Sequence, residues 1–345
     1  MDQFNVYKDM KARTNGEIYI GVVGPVRTGK STFIKRFMNL MVLPNIEDEN
    51  DRNRANDELP QSSSGKTIMT TEPKFVPNEA VSIKTEEGIE LNVRLIDCVG
   101  YMVEGATGHM EGEEERLVKT PWFDYEIPFT KAAAIGTKKV ITEHSTIGVV
   151  VTCDGSFGEI AAKQYEPAEE ETIKQLKALK KPFVVLLNTI HPYSESTKQL
   201  AAEKEEKYQT KVLPMNLEQM KKEDIYEIIK SVLMEFPISS IGFYVPRWTE
   251  MLKKDHPLKM ELLQMARDVI TEKTTMRDIY EEQEKEYEYI TGQKLESVAM
   301  DSGEVVITVK VGDVYYYEFL SETTGMEIRN EYEFIKIMGE LAKKK

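Results

Sequence analysis

The segment Gly24-Pro25-Val26-Arg27-Thr28-Gly29-Lys30-Ser31 spells G-x-x-x-x-G-K-S. That spacing suits the phosphates of a nucleoside triphosphate. Its glycines let the backbone wrap an anion with N–H groups, and the helix that follows turns its positive end toward the same charge. On this reading Gly24, Arg27, Thr28, Gly29 and Thr32 line the phosphates. Lys30 reaches the β- and γ-phosphates, and the Ser31 hydroxyl ligates magnesium.

A second pattern is Leu95-Ile96-Asp97-Cys98-Val99-Gly100, an apolar run closing in D-x-x-G. An aspartate at such a strand end can hold a magnesium-bound water, and Gly100 can offer its N–H to the γ-phosphate. Thr70 and Thr71 precede it. A threonine there can place its hydroxyl on magnesium and its N–H on the γ-phosphate, sensing whether that phosphate is present. Which of the pair does so stays open. The nearby Gly65-Lys66-Thr67 is a decoy: Pro60 stands where a P-loop needs its first glycine, and no strand leads in.

A third pattern is a departure. Guanine-specific P-loop proteins end one strand in Asn-Lys-x-Asp, whose carboxylate accepts guanine's N–H donors. The matching strand here ends Asn188-Thr189-Ile190-His191. A hydrogen bond to a charged group is worth roughly 1.5–3 kcal/mol, so losing that carboxylate favours ATP. Asn188 remains a candidate base contact. Position 101 is Tyr rather than a water-orienting Gln, which predicts slow hydrolysis.

These residues need strands and helices to hold them. Glu17 to Val23 reads as a strand and Thr32 to Met41 as a helix. Val81–Lys84 and Leu91–Ile96 read as a hairpin turning at Thr85-Glu86-Glu87-Gly88. Ile147–Cys153, Phe183–Asn188 and Val212–Met215 read as further strands, with helices over Glu166–Lys180 and Glu223–Glu235. Strand alternating with helix predicts an α/β fold, a P-loop NTPase domain with a mostly parallel sheet covered on both faces. Two polar stretches, Asn45–Thr71 and Glu104–His144, read as long loops flanking the γ-phosphate.

The pattern changes near Phe236-Pro237, which gives a P-loop domain over 1–236 and a smaller α+β domain over 237–345. The second part shows a helical stretch near Thr249–Tyr289, then alternating strands Glu304–Val311 and Tyr315–Phe319, then an amphipathic helix over Ile328–Leu341. No catalytic constellation stands out in it.

Composition bounds the rest. The 345 residues carry a net charge of -14, which opposes nucleic-acid binding. The two cysteines, Cys98 and Cys153, read as reduced core thiols. The four histidines are scattered, without zinc-ligand spacing. Met1 to Glu17 has no apolar core of a secretory signal, and no apolar run is long enough to span a bilayer.

The order GPVRTGKS, TTEP, LIDCVG and LLNTIHP resembles the GTPase-related P-loop class with its guanine motif lost. More specifically, GEIYIGVVGPVRTGKSTFIKRFMNLMVLPNI, LIDCVGYMVEGATGHMEG and PWFDYEIPFTKAAAIGTKKVITEHSTIGVVVTCDGS resemble the stage IV sporulation protein A family, and the likeness continues through the second domain. The resemblance implies an ATPase that assembles with itself into the basement layer of the spore coat. That layer lies on the outer forespore membrane, in the mother-cell cytoplasm. It implies ATP and Mg2+ as cofactors, with Lys30, Thr70, Thr71 and Asp97 as catalytic positions. As partners it implies other coat morphogenetic proteins and a small membrane-anchoring peptide. Family members carry a further C-terminal region that helps membrane attachment, and this chain stops at Lys345. A regulatory GTPase-like switch, and a structural module that binds nucleotide without hydrolysing it, remain the alternatives.

Overall fold

A computed structural model describes residues 5–60, 72–85, 88–106, 109–111, 114–158, 160–280 and 285–343. Thr70, Thr71, the Gly65-Lys66-Thr67 decoy, Glu86 and Glu87 lie outside the described residues. The chain divides into two compact units, Met1–Pro237 and Ile238–Lys345.

The first unit opens with α1 (Val6–Thr14), β1 (Glu17–Val23) and α2 (Lys30–Phe37). α2 runs on as a π-turn over Met38–Val42. Then come α3 (Glu49–Asp57), β2 (Lys74–Lys84) and β3 (Glu90–Asp97). Short strands follow: β4 (Met110–Glu111) with β5 (Glu114–Glu115), and β6 (Leu117–Thr120) with β7 (Phe123–Pro128). The unit closes through α4 (Phe129–Lys139), β8 (Ile147–Cys153), α5 (Ala162–Ala178), β9 (Phe183–Asn188), α6 (Glu195–Tyr208), β10 (Val212–Met215) and α7 (Lys222–Met234).

Six strands form one sheet in the order β10-β9-β8-β1-β3-β2. Only β2 is antiparallel to its neighbour. β8 and β9 are buried at every residue, which is what a central strand covered on both faces requires. Val23, Ile96, Val150, Val185 and Leu187 meet Ile173 and Leu176 of α5 and Tyr208 of α6 in one cluster. Alternate strand residues such as Val22, Val149 and Leu186 point to the other face, and α1, α2 and α7 contact the sheet or each other.

Both stretches read as loops hold structure. α3 buries only Ala55, so it carries no apolar period; an Asp48 side chain that accepts from the Asp51 N–H starts it. Within 104–144, α4 buries Phe129, Ala132, Ala133, Gly136 and Thr137, and a π-turn over Val140–His144 buries Val140 and Ile141. The spacing is helical, but small side chains carry most of the buried face and hide it from a hydropathy reading.

The second unit contains β11 (Ser240–Tyr244), α8 (Pro257–Glu272), β12 (Ile290–Ala299), β13 (Glu304–Val311), α9 (Asp313–Thr324) and α10 (Glu331–Lys343). Its sheet runs β11-β13-β12, with Val305, Ile307 and Val309 buried as their alternation predicts. Tyr315–Phe319, expected as a strand, lies in α9. Tyr315, Tyr316 and Tyr317 are consecutive, and Tyr316 and Phe319, one helical turn apart, both pack on Trp248. The partner of β13 is instead β12, antiparallel across the Asp301–Gly303 turn. The helical stretch near Thr249–Tyr289 contracts to α8, which His256 caps and Pro257 begins, with short 3-10 turns at Arg247–Met251 and Asp278–Tyr280.

One buried ion pair braces the first unit. The Glu169 carboxylate of α5 is fully buried; it accepts from Lys204 Nζ of α6 at 2.7 and 3.0 Å and from Thr152 Oγ1 of β8 at 2.5 Å. Removing one partner of a buried pair strands the other charge. Glu169→Leu is therefore expected to lower unfolding free energy by about 3–5 kcal/mol, and Glu169→Leu with Lys204→Met to recover most of it. Urea melts of the three proteins check both expectations.

Candidate nucleotide site

β1 and β3 are parallel neighbours whose register pairs Val22 with Asp97. The loop that leaves β1 and the carboxylate that ends β3 therefore emerge side by side. The connection from β1 to α2 must turn sharply, and Gly24 makes that turn at φ 130°. A Cβ on Gly24 would sit 2.4 Å from the Val151 carbonyl oxygen, so the loop hugs β8 as closely as backbone allows. Thr28 is buried and donates its hydroxyl to the Pro25 carbonyl at 3.0 Å, closing the loop from within. Gly29 caps α2.

Lys30 is buried in this loop. Its Nζ donates to the Pro25 carbonyl at 2.5 Å and to the Gly24 carbonyl at 3.5 Å. Burial holds the Lys30 pKa below the usual lysine value, with Cys98 and Asp97 pulling the other way. Burial pushes Asp97 up from the ordinary carboxylate value, opposed by Lys30 and by the hydrogen bond from Ser31. The Ser31 hydroxyl donates to Asp97 Oδ2 at 2.8 Å. Asp97 Oδ1 is buried and has no hydrogen-bond partner among the described residues. Cys98, pushed up to about 11 by burial, is a protonated thiol that donates to the Val22 carbonyl at 3.4 Å.

The segment after Asp97 is clipped to the loop through backbone alone. The Val26 N–H donates to the Tyr101 carbonyl at 2.9 Å, and the Tyr101 N–H to the Gly24 carbonyl at 3.2 Å. Gly100 sits inside this clip at φ 94°; a Cβ there would fall 2.2 Å from the Gly24 oxygen and 2.6 Å from Lys30 Nζ. On the other flank, Asn188 Nδ2 donates to the Thr28 carbonyl at 3.0 Å while its Oδ1 accepts the Leu217 N–H at 3.2 Å.

The structure thus brings Gly24, Thr28, Gly29, Lys30, Ser31, Asp97, Gly100 and Asn188 into one site. Thr32 is half-buried in the first turn of α2, and Arg27 is exposed at the loop's apex with φ 61°. Asn188 spends both ends of its carboxamide on backbone, so it positions the loop. Thr189 is fully buried and accepts the His191 N–H at 3.1 Å, while the His191 side chain faces solvent. The Tyr101 and Leu217 contacts escape a sequence reading because they are made by backbone atoms, which any residue supplies.

A glycine-capped helix N-terminus, a buried lysine and a hydroxyl–carboxylate pair are the groups from which a phosphate site on an α/β sheet can be built. Comparison with known proteins agrees on the class. Residues 1–237 match the family model described as Stage IV sporulation protein A, ATPase domain, and residues 238–345 match Stage IV sporulation protein A, middle domain. The chain is 45% identical over 344 residues to Stage IV sporulation protein A of Bacillus anthracis. It is 47% identical over 343 residues to that of Clostridioides difficile (strain 630), and 44% over 344 residues to that of Bacillus subtilis (strain 168). Each alignment covers 99% of this chain and 70% of the relative. The chain belongs to the Stage IV sporulation protein A family. Its first unit is that family's ATPase domain, and its role lies in sporulation. No helix among the described residues is long and apolar enough to cross a membrane.

Gly100→Ala tests the clip. The added methyl would push against the Gly24 carbonyl and Lys30 at a φ that alanine resists. The strain, about 1–3 kcal/mol, should weaken nucleotide binding at least tenfold in calorimetry, with far-UV circular dichroism unchanged. Unaltered affinity would show that the backbone approach at Gly100 is not needed.

Proposed function

We propose that the first unit is a magnesium-dependent P-loop ATPase of the GTPase-related class, and that its slow turnover drives assembly of the protein into the basement layer of the spore coat. The observation that carries the reading is the Ser31–Asp97 pair. A hydroxyl 2.8 Å from one carboxylate oxygen, beside a second carboxylate oxygen that is buried without a partner, is an all-oxygen donor set suited to a hard divalent cation. Ser31 and Asp97 would hold Mg2+ there. Bound Mg2+ neutralises phosphate oxygens as charge develops on them.

The remaining residues act on the phosphates directly. Arrival of the triphosphate offers Lys30 anionic oxygens in place of the Gly24 and Pro25 carbonyls it now holds. The N–H groups of the Gly24–Ser31 loop cradle the phosphate chain at the start of α2. Gly100 faces the γ-phosphate, and Thr70 and Thr71 supply the residues that sense it. The base is adenine, because His191 stands where guanine recognition needs a carboxylate.

Beyond the domain itself, the reading is that copies of this chain polymerise at the outer forespore membrane surface, in the mother-cell cytoplasm. Other coat morphogenetic proteins and a small membrane-anchoring peptide act as partners, and nucleic acid does not. The net charge of -14 opposes association at long range, so assembly depends on specific short-range contacts.

Turnover of ATP and GTP by the purified protein, with and without Mg2+, separates the readings. ATP hydrolysed in preference to GTP, only with Mg2+, and lost in Lys30→Ala together with nucleotide binding, is the expected result. Preference for GTP would favour a regulatory switch, and binding without turnover a structural module. Light scattering with ATP, with a non-hydrolysable analogue and without nucleotide tests assembly. Growth only with hydrolysable ATP is expected, and equal growth in all three would contradict it.

A further inference from the structure

We propose that the purine of the bound nucleotide stacks on an apolar ledge formed by Phe157 and Ile190, with Tyr193 at its rim. The proposal rests on the ATP-binding reading above and specifies which side chains supply affinity for the base.

A linear triphosphate has two ends, and the strand order fixes where each points. The Ser31–Asp97 pair and Gly100 place the γ-end over the tip of β3. β1 lies in the middle, and β8, β9 and β10 follow on the opposite side from β3. The nucleoside therefore leaves the loop across the carboxyl ends of β8 and β9, where ligands of open α/β sheets bind. The Asn188 bond to the Thr28 carbonyl presses that end of β9 directly against the loop, and a Cβ on Gly29 would lie 3.3 Å from Leu217 Cδ1. Ile190 comes two residues beyond Asn188.

At that place the protein leaves large apolar side chains in solvent. Phe157 is 37% exposed, Ile190 44% and Tyr193 87%. They lie on two loops that are tied together, since the Ile190 N–H donates to Ser156 Oγ at 3.1 Å. The first loop is also fixed internally. The Ser156 hydroxyl and N–H both donate to Asp154 Oδ1, at 2.5 and 2.9 Å, and the Gly155 N–H donates to Cys153 Sγ at 3.3 Å. The second is held by the His191 N–H on Thr189 Oγ1 and by the Ser194 N–H on the His191 carbonyl. Exposed apolar groups on two braced loops form a preorganised surface, and a base has two π-faces to lay on it.

Among the polar groups nearby, Asn188 already bonds Thr28 and Leu217, Asp154 Oδ1 bonds Ser156, and the His191 side chain faces solvent. Stacking on the ledge adds base affinity beyond any hydrogen bonds made by the edge of the base.

Calorimetry with Mg·ATP and with Mg·tripolyphosphate, which lacks nucleoside, tests the idea on the full chain. Phe157→Ser with Ile190→Ser is expected to lower ATP affinity about tenfold or more and to leave tripolyphosphate affinity within about twofold. Tyr193→Ser, at a position too exposed to affect folding, is expected to lower ATP affinity a few-fold, again without changing tripolyphosphate. Unchanged ATP affinity in the double variant would overturn the ledge. So would a parallel fall for both ligands, because the loss would then lie in the phosphate loop. A wild-type protein that binds tripolyphosphate as tightly as ATP would overturn the ledge alone, whereas one that binds neither would overturn the nucleotide reading with it.

Discussion

The structure of the first unit turns on two opposite charges set side by side, the buried Lys30 at the start of α2 and the half-buried Asp97 at the end of β3. Lys30 is enclosed by the loop it belongs to, and Asp97 closes β3 beside it. Burial works against both charged forms, lowering the lysine's pKa and raising the aspartate's. Each offsets part of the other's desolvation, and Ser31 and the loop carbonyls supply the remaining hydrogen bonds. Such a pair survives only where geometry is held tightly. The parallel β1–β3 pairing, the glycines at 24 and 100 and the Asn188 strut all hold it.

The same arrangement explains why the site is poised for an anion. A buried lysine bound only to carbonyl oxygens gains when a phosphate replaces them, since a charge-assisted bond is stronger than a neutral one. A buried carboxylate oxygen without a partner gains when a cation reaches it. Ligand binding thus adds the interactions that folding left unmade, and the protein should be markedly more stable with nucleotide bound. Glu169, Lys204 and Thr152 lock α5 and α6 onto β8, the strand that carries the Asp154 loop.

Much of this was legible in the sequence, for a physical reason. Gly24, Gly29 and Gly100 mark places where no side chain fits, and Lys30, Ser31 and Asp97 are residue types that no others replace chemically. The alternation of apolar strands with amphipathic helices gave away the mostly parallel sheet. What stayed hidden depends on groups without a sequence signature. Tyr101 and Leu217 act through backbone atoms. α4 packs through alanine, glycine and threonine, and α3 buries a single alanine. The aromatic run at Tyr315–Phe319 fits a strand and a helix equally well until Trp248 is seen beneath it. Asn188 is visible in the sequence as a residue of the site, but its bonds to Thr28 and Leu217 are not, because they are made to backbone atoms.

The central claim is that Asp97 is a half-buried carboxylate, one oxygen fully enclosed, with a raised pKa, and that it must be ionised to complete the site. The direct measurement is the affinity of wild type and Asp97→Asn for Mg·ATP by calorimetry, from about pH 8 down to about pH 4, near the ordinary carboxylate value. A raised pKa means that Asp97 takes up a proton at a higher pH than an ordinary carboxylate, and a protonated carboxyl cannot ligate a cation. The account predicts that wild type binds far more tightly at the upper end and that the two affinities converge as pH falls. Comparing the two proteins at each pH cancels the titration of ATP itself. A wild-type advantage that stays constant across the range, or no advantage at any pH, would contradict it.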